Sequence, residues 1–496
     1  MPLRLRNACS YLAPGLLALA VLAATAAHTA SAEPAKPATA IDIADRLELF
    51  VDRALIDKLN GAELRLHEPQ PMPLAASPLR GSYATVIKDG DLYRAYYRDM
   101  RPGYNGPRHS GNPGEITCYA ESRDGQEWTF PNLDAVDAVS SRGKNVVLAL
   151  APFCHNFAPF LDTRPGVDPR QRFKALAGHP GQDRKATADG LHAFTSADGI
   201  HWEKADTAAV IAYDKTWSHA FDSQNVAFWS EAEARYVCYF RTYKSGNGNL
   251  RAISRTTSRD FVSWDKPVAT DANLPGEHLY TSQTHPYFRA PHLYVALPTR
   301  YTAGRLGEEK TDTMLGATDI LFMTWRAGSS AFDRLFTEAF IRPGIAPERW
   351  ENRANYVAQN VVPTGPAEMS IYHSRSGQRY VLRTDGFVSV RAGAKKGELL
   401  TRPLAFSGDK LLVNYSTSAA GSLQVEVQSA SGAVIPRFSL KDCSPIVGDE
   451  IQRAVVWNGA PSLDALAGKP VRLRFVMTEC DLYSIRFQKG SDTDRR

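Results

Sequence analysis

The sequence predicts an all-β protein: a five-bladed β-propeller followed by a C-terminal β-sandwich. Three observations predict it. A turn signature, Ser-x-Asp-Gly/Phe-x-x-Trp, recurs with identical spacing at Ser122/Asp124/Trp128, Ser196/Asp198/Trp202 and Ser258/Asp260/Trp264. Pairs of short apolar runs recur five times between residues 83 and 383. Near Leu400 that repeat gives way to a different alternation of apolar and polar residues. Repeats of roughly 60 to 75 residues match four-stranded blades.

The second strand of each repeat is the easier to see: "LYRAYYR" from Leu92, "RFKALAG" from Arg172, "RYVCYFR" from Arg235, "HLYVALP" from His292 and "RYVLR" from Arg379. Aromatic and β-branched residues at alternating positions suit half-buried strands. The strand before each aligns by its apolar centre: "YATVI" at Tyr83, "NFAPF" at Asn156, "QNVAF" at Gln224, "QTHPY" at Gln283 and "EMSIY" at Glu368. In a propeller this strand is innermost, so those five residues should surround the central channel. Trp128, Trp202 and Trp264 sit in the repeated turn and should lock blades together rather than stack on a ligand. The predicted organisation is a signal peptide over 1–32, a disordered Pro/Ala-rich linker over 33–46, the propeller over 47–399, the sandwich over 400–488 and a polar tail over 489–496.

Arg4 and Arg6, an apolar stretch from Leu12 to Ala24 and the small residues Ala30-Ser31-Ala32 have the layout of a secretory signal. Cleavage after Ala32 is expected, with a secreted or periplasmic product. No later segment reaches 18 uninterrupted apolar residues, so no membrane span is expected. Losing the two arginines lowers the formal net charge from +5 to +3. With no Lys/Arg run resembling a phosphate-binding stripe, nucleic acid is not an expected partner. Five cysteines remain: Cys118 and Cys238 read as buried hydrophobes, Cys154 has no assigned role, and Cys443 and Cys480 are either a bridge between neighbouring strands or free thiols. No Cys/His spacing suits a structural zinc site. No cofactor is expected, an axial cation being the one alternative.

A deep polar funnel can bring carboxylates from different blades together. Glu368, flanked by Met369 and Ile371, is the expected general acid, because a desolvated carboxyl there would hold its proton. Asp222 in "HAFDSQNVAFW" or Glu277 in "GEHLYTSQTHPY" is the expected base or nucleophile. Tyr83, Asn156, Gln224 and Gln283, with His155, His285, Arg98 and Asp99, are the expected substrate-binding residues. Glu115 is a weaker candidate carboxylate, Asp162 reads as a turn residue, and Arg98, Arg289 and Arg391 could engage an acidic sugar. The Gly- and Pro-rich run "GYNGPRHSGNPGE" after Asp99 is a long loop that could cover the funnel. Gly-x-Ser-x-Gly and His-Glu-x-x-His motifs are absent.

These features together resemble the glycoside hydrolases of the five-bladed propeller superfamily. Domain order is most similar to family 32 and the blade turns to family 43. "LFVDRALI", "PFLDTRPG", "FDSQNVAFW" and "TSQTHPYFRAP" resemble exported bacterial proteins of a family-32-like type. The resemblance implies hydrolysis of O-glycosidic bonds in a poly- or oligosaccharide by paired carboxylates. The chain departs from the family pattern in its early blades, which begin at Tyr83 and Asn156. No Trp-x-Asn-Asp-Pro-x-Gly or Arg-Asp-Pro motif lies in the expected propeller. That departure keeps a non-catalytic carbohydrate-binding propeller open as the alternative, with a lyase or phosphorylase as a third.

Overall fold

In the computed structural model the chain is described over residues 40–73, 79, 82–178, 189–205, 208–244, 249–304, 316–460 and 462–490. The expected signal peptide, the first half of the linker and the end of the tail lie outside these residues. The described chain is all-β, its only helical pieces being short 3-10 turns such as Phe153–His155. No described helix is long and apolar enough to cross a membrane.

Five antiparallel sheets carry the repeat. The first runs Ser82–Asp89, Leu92–Met100, Glu115–Ser122 and Val146–Leu148 in order. The second runs Ala158–Leu161, Phe173–Ala177, Gly190–Ser196 and Glu203–Lys204, and the third Val226–Ser230, Arg235–Lys244, Leu250–Ser258 and Val268–Ala269. The fourth holds His285–Tyr287, Ala290–Ala296 and Met323–Arg326, beside a small sheet of His278–Leu279, Thr299–Ala303 and Gly316–Ile320. The fifth runs Val362–Pro363, Glu368–Tyr372, Arg379–Arg383 and then Gln70–Pro71, a strand from the other end of the chain. First strands of the first four sheets touch in sequence, and that of the fifth returns to the first. Val361 N–H donates to His285 Nε2 (3.0 Å) between the fourth and fifth. The sheets therefore form a closed ring.

The fifth repeat differs from the expected alignment by one strand. Glu368 opens the second strand of its sheet, and the segment nearest the ring centre is Val357–Val361, where Gln359 forms a bridge with Thr85. The apolar centre of "EMSIY" imitates a first strand because both are buried. The register is decided by Gln70–Pro71, which supplies the outermost strand and leaves the chain's last repeat three strands to build.

The expected boundaries at 46/47 and 399/400 do not separate sheets. Ile41–Ala44, expected in the linker, pairs in parallel with Leu404–Phe406. Ala62–Leu66 pairs with Val388–Ala392, which pairs with the long strand Val471–Gln488. These strands join Lys410–Ser429 in one ten-stranded sheet. Its core gathers both ends of the chain, with Ile43, Phe50 and Leu55 packed among Leu399, Val425, Leu473 and Phe475. Local alternation marks each strand but carries no information about a distant partner. Cys118, Cys154, Cys238, Cys443 and Cys480 are all free and buried.

The repeated turns follow from their chemistry. In each, the Ser hydroxyl accepts the N–H three residues on at 2.9 Å, and the Asp carboxylate accepts two further N–H groups. The fourth position is left-handed, with φ of 72° at Gly125, 77° at Gly199 and 69° at Phe261. Glycine suits it, and Phe261 is tolerated because its ring packs on Phe160 (5.6 Å) of the second sheet. Each turn grips the preceding sheet: Tyr96 Oη donates to Gly199 O (2.9 Å), and Tyr372 Oη donates to Gly125 O. Trp202 stacks edge-on against Tyr96, and Trp128 against Tyr372. Tyr96→Phe strands a buried carbonyl and should cost about 1–3 kcal/mol, read from equilibrium urea unfolding. An unchanged midpoint would show that this grip contributes nothing.

Candidate active site

Asp222 is placed by an unusual approach to the third sheet. Phe221 takes a left-handed φ of 64°, and its carbonyl accepts from Ser223 N–H (2.7 Å), Asn156 Nδ2 (2.7 Å) and Asn225 Nδ2 (3.2 Å). On the other side, Phe221 N–H donates to Arg241 O (3.0 Å) and Tyr243 N–H to His219 O (3.0 Å). The segment 219–222 is thereby laid along the end of Arg235–Lys244, which sets the Arg241 guanidinium 2.7 Å from Asp222 Oδ2. Arg241 is fully buried beneath Asp222 and lies over the Tyr280 ring at 4.8 Å. Beside so negative a neighbour, and despite burial working against its charge, the guanidinium is held more firmly protonated than usual.

The first sheet supplies the second carboxylate. Arg98 and Glu115 lie on adjacent strands and on one face, because Arg98 opposes Thr117 and Glu115 opposes Met100. His155, at the end of its 3-10 turn, enters between them: its Nδ1 lies 3.0 Å from Glu115 Oε1 and its Nε2 3.3 Å from Asp222 Oδ1. Arg98 Nη1 donates to His155 O (3.0 Å) and stands 3.7 Å from Glu115. Burial raises the Glu115 carboxyl, but the His155 hydrogen bond and charge, Arg98 and Gly111 N–H outweigh it and hold it below the ordinary range. His219 completes the group at 3.5 Å from Asp222 Oδ2.

Asp222, Glu115, His155 and Arg98 line a polar cavity of about 430 Å³. Its wall includes Tyr83, Tyr280 and Tyr356, whose rings pack at 5.7 Å (Tyr83–Tyr356) and 5.5 Å (Tyr280–Tyr356). Tyr83 also has a left-handed φ of 52° and lies under the Arg98 guanidinium at 4.7 Å. Burial and the Asp222 charge push its hydroxyl pKa above the usual range, so it meets a ligand as a neutral donor. The loop after Asp99 contributes Arg108, His109, Ser110 and Asn112 to the mouth. Among the described residues no group of three or more His, Cys, Asp or Glu is arranged to hold a metal ion.

Of the residues singled out from the sequence, Tyr83, Arg98, Glu115, His155 and Asp222 meet in this cavity. Asn156, Gln224, Gln283 and His285 do not line it; they are buried structural groups. Gln224 Nε2 donates to Ala84 O and Thr85 Oγ1, Gln283 Nε2 to Gln224 Oε1 and Val357 O, and Asn156 Nδ2 to Gly178 O. Glu368 is not a neighbour of Asp222; its carboxylate neutralises the fully buried Arg379 (2.8 Å), and it borders a separate cleft with His67 and Tyr483. Glu277 is occupied by Arg334 (3.1 Å) and Leu274 N–H (3.1 Å), and Asp99 by Met100 N–H (2.8 Å) and Ser141 Oγ (3.3 Å). Arg289 and Arg391 pair with Asp385 and Asp481, away from the cavity. Sequence reasoning passed over Arg241, His219, Tyr280 and Tyr356. One signal was present: "YYR" and "YFR" end equivalent strands, so Arg241 is the counterpart of Arg98.

No protein-family model matches the chain, and no curated protein does. Solved structures similar to it include several glycoside hydrolases. A family 43 arabinoxylan arabinofuranohydrolase from Bacillus subtilis is 14% identical, with 84% of this chain and 97% of that one covered and a TM-score of 0.39. A family 32 β-fructofuranosidase of Bombyx mori is 8% identical, covering 86% and 95% with a TM-score of 0.38. A putative glycosidase of Bacteroides thetaiotaomicron is 13% identical, covering 64% and 93% with a TM-score of 0.37. Likeness at this level assigns no residue a role, and the reading of the site rests on its own geometry.

His285 offers a titration test of the floor. Burial lowers its pKa to about 4, since Nε2 must stay bare to accept Val361 N–H, although the hydrogen bond from Nδ1 to Gln283 O pulls the other way. The folded pKa lies below the unfolded value of about 6.5, so the stabilisation is complete above pH 6.5 and fades as pH falls toward 4. Over that window this one proton should give a slope of up to about 1.4 kcal/mol per pH unit. Unfolding free energy of wild type and His285→Gln measured between pH 4 and 7 should differ by that slope; parallel curves would mean that His285 titrates in the fold as it does in the unfolded chain.

Proposed function

We propose that this protein is an exported glycoside hydrolase, a five-bladed β-propeller with a C-terminal β-sandwich, cleaving O-glycosidic bonds of a poly- or oligosaccharide in the cavity over its axis. The ring of five sheets and the repeated turns support the propeller. The paired long strands Lys410–Ser429 and Val471–Gln488 support a sandwich built with both chain ends. The charged, apolar and small-residue layout of the N-terminus supports export.

One observation carries the catalytic reading: Asp222 and Glu115, from different sheets, converge on opposite nitrogens of His155 inside one polar cavity. Asp222 keeps 28% of its side chain exposed, so its carboxylate is the group that meets the substrate as base or nucleophile. Buried Glu115, ionised in the neutral range, positions the imidazole instead of giving up a proton. His155 is then the proton donor to the leaving oxygen, a role first assigned to Glu368 from sequence. A carbohydrate-binding propeller without catalysis is the second reading. It is favoured by the 2.7 Å ion pair that engages Asp222 with Arg241.

Asp222→Asn separates the two. Against a polysaccharide and aryl-glycoside panel, the hydrolase reading expects wild-type turnover that falls roughly 10²- to 10⁴-fold in the variant while affinity holds. Absence of wild-type turnover with retained binding on a glycan array would leave the binding module.

A further inference from the structure

The charge of the cavity wall is out of balance with the carboxylates it contains. Arg98, Arg108, Arg353 and Arg375 line it, against Asp222 and Glu115 alone. Both carboxylates already have cationic neighbours, Asp222 in buried Arg241 and Glu115 in Arg98. Arg108, Arg353 and Arg375 form no ion pair with any described residue and are exposed at the rim. Like charges gathered on one wall repel, and a concave wall of one sign concentrates the opposite charge in the space it encloses.

The rim is also built at some cost. Arg353 holds a left-handed φ of 63°, which a long side chain rarely adopts. Its carbonyl accepts from Arg375 Nη1 at 3.4 Å, which keeps the two arginines together. Two buried polar atoms of the same wall, Tyr356 Oη and Asn352 Oδ1, have no hydrogen-bond partner among the described residues. Such atoms cost about 1–3 kcal/mol each unless something satisfies them. A hydroxyl-rich ligand would satisfy both, and an anionic group on it would meet guanidinium forks suited to planar carboxylate or to sulfate oxygens.

We infer that the ligand is an anionic saccharide, bearing either a uronate carboxylate or a sulfate ester, with Arg353 and Arg375 receiving the charged group while Tyr356 and Asn352 take sugar hydroxyls. The inference rests on the cavity being the carbohydrate site and specifies which carbohydrates enter it.

Calorimetric titration of the full-length mature protein tests it with three sets of oligosaccharides: uronate-containing, the same compounds with carboxyls reduced to alcohols, and neutral sugars bearing O-sulfate. At least one charged set should bind tenfold or more tighter than the carboxyl-reduced set, and which one does so identifies the anion. Arg353→Gln/Arg375→Gln should lose about tenfold toward the charged set and leave neutral-sugar binding unchanged; Arg375→Gln alone, at an exposed site, serves if the double variant folds poorly. Equal binding of charged and neutral sugars, affinity indifferent to both variants, or no binding of any set overturns the inference. Turnover of a neutral substrate that depends on Asp222 would preserve the hydrolase reading in that event. Selective binding of the charged set without turnover would preserve the inference and remove the hydrolase.

Discussion

The amides of Asn156, Gln224 and Gln283 bond the sheets of the ring to one another where their first strands meet. Gln224 reaches from the third sheet to Ala84 and Thr85 of the first, and Gln283 from the fourth to Val357 beside the fifth. Because a buried unpaired carbonyl or N–H is costly, these contacts specify which sheet stands opposite which. The cavity above inherits its geometry from them. Asn156 holds Phe221 O, and through it the left-handed residue that aims Asp222, so one amide serves both the closure of the ring and the placement of the carboxylate.

Outside this centre the ring is held by turns gripping neighbouring sheets and by the chain ends. Gln70–Pro71 completes the fifth sheet, while the strands before it, Ala62–Leu66 among them, join the large C-terminal sheet. Two charged residues expected from the sequence to meet a ligand, Glu368 and Arg289, serve these joints instead. Glu368 neutralises Arg379, whose other amino group reaches Gln126 in the first repeated turn. Asp385 accepts from Tyr287, Arg289, Asn414 and Ser484, joining the ring to the large sheet. A carboxylate so engaged has little capacity left for a substrate, which is why ionisable residues alone did not single out the site.

The site itself divides into layers of different electrostatic character. Arg241, His155, Glu115 and the three tyrosines are buried, Asp222 keeps part of its side chain exposed, and the rim carries arginines without carboxylate partners. Burial strengthens each inner interaction and leaves the outer charges available to a ligand.

Several features followed from the sequence alone, because they depend on local chemistry: the all-β class, the Ser-x-Asp turns, the strand pairs of the first four repeats, and Asp222, His155, Arg98 and Tyr83 as residues near the ring's centre. Period-two patterning and side-chain bonds to nearby N–H groups require no knowledge of distant partners. Three matters were decided only in three dimensions. Gln70–Pro71 set the register of the fifth repeat and moved Glu368 off the axis. Both chain ends shared one sheet, which erased the expected domain boundaries. Glu115, Arg241 and Tyr356, from three different sheets or their approaches, came together around Asp222. Each depends on ring closure, where residues far apart in the chain become neighbours through contacts that no local pattern encodes.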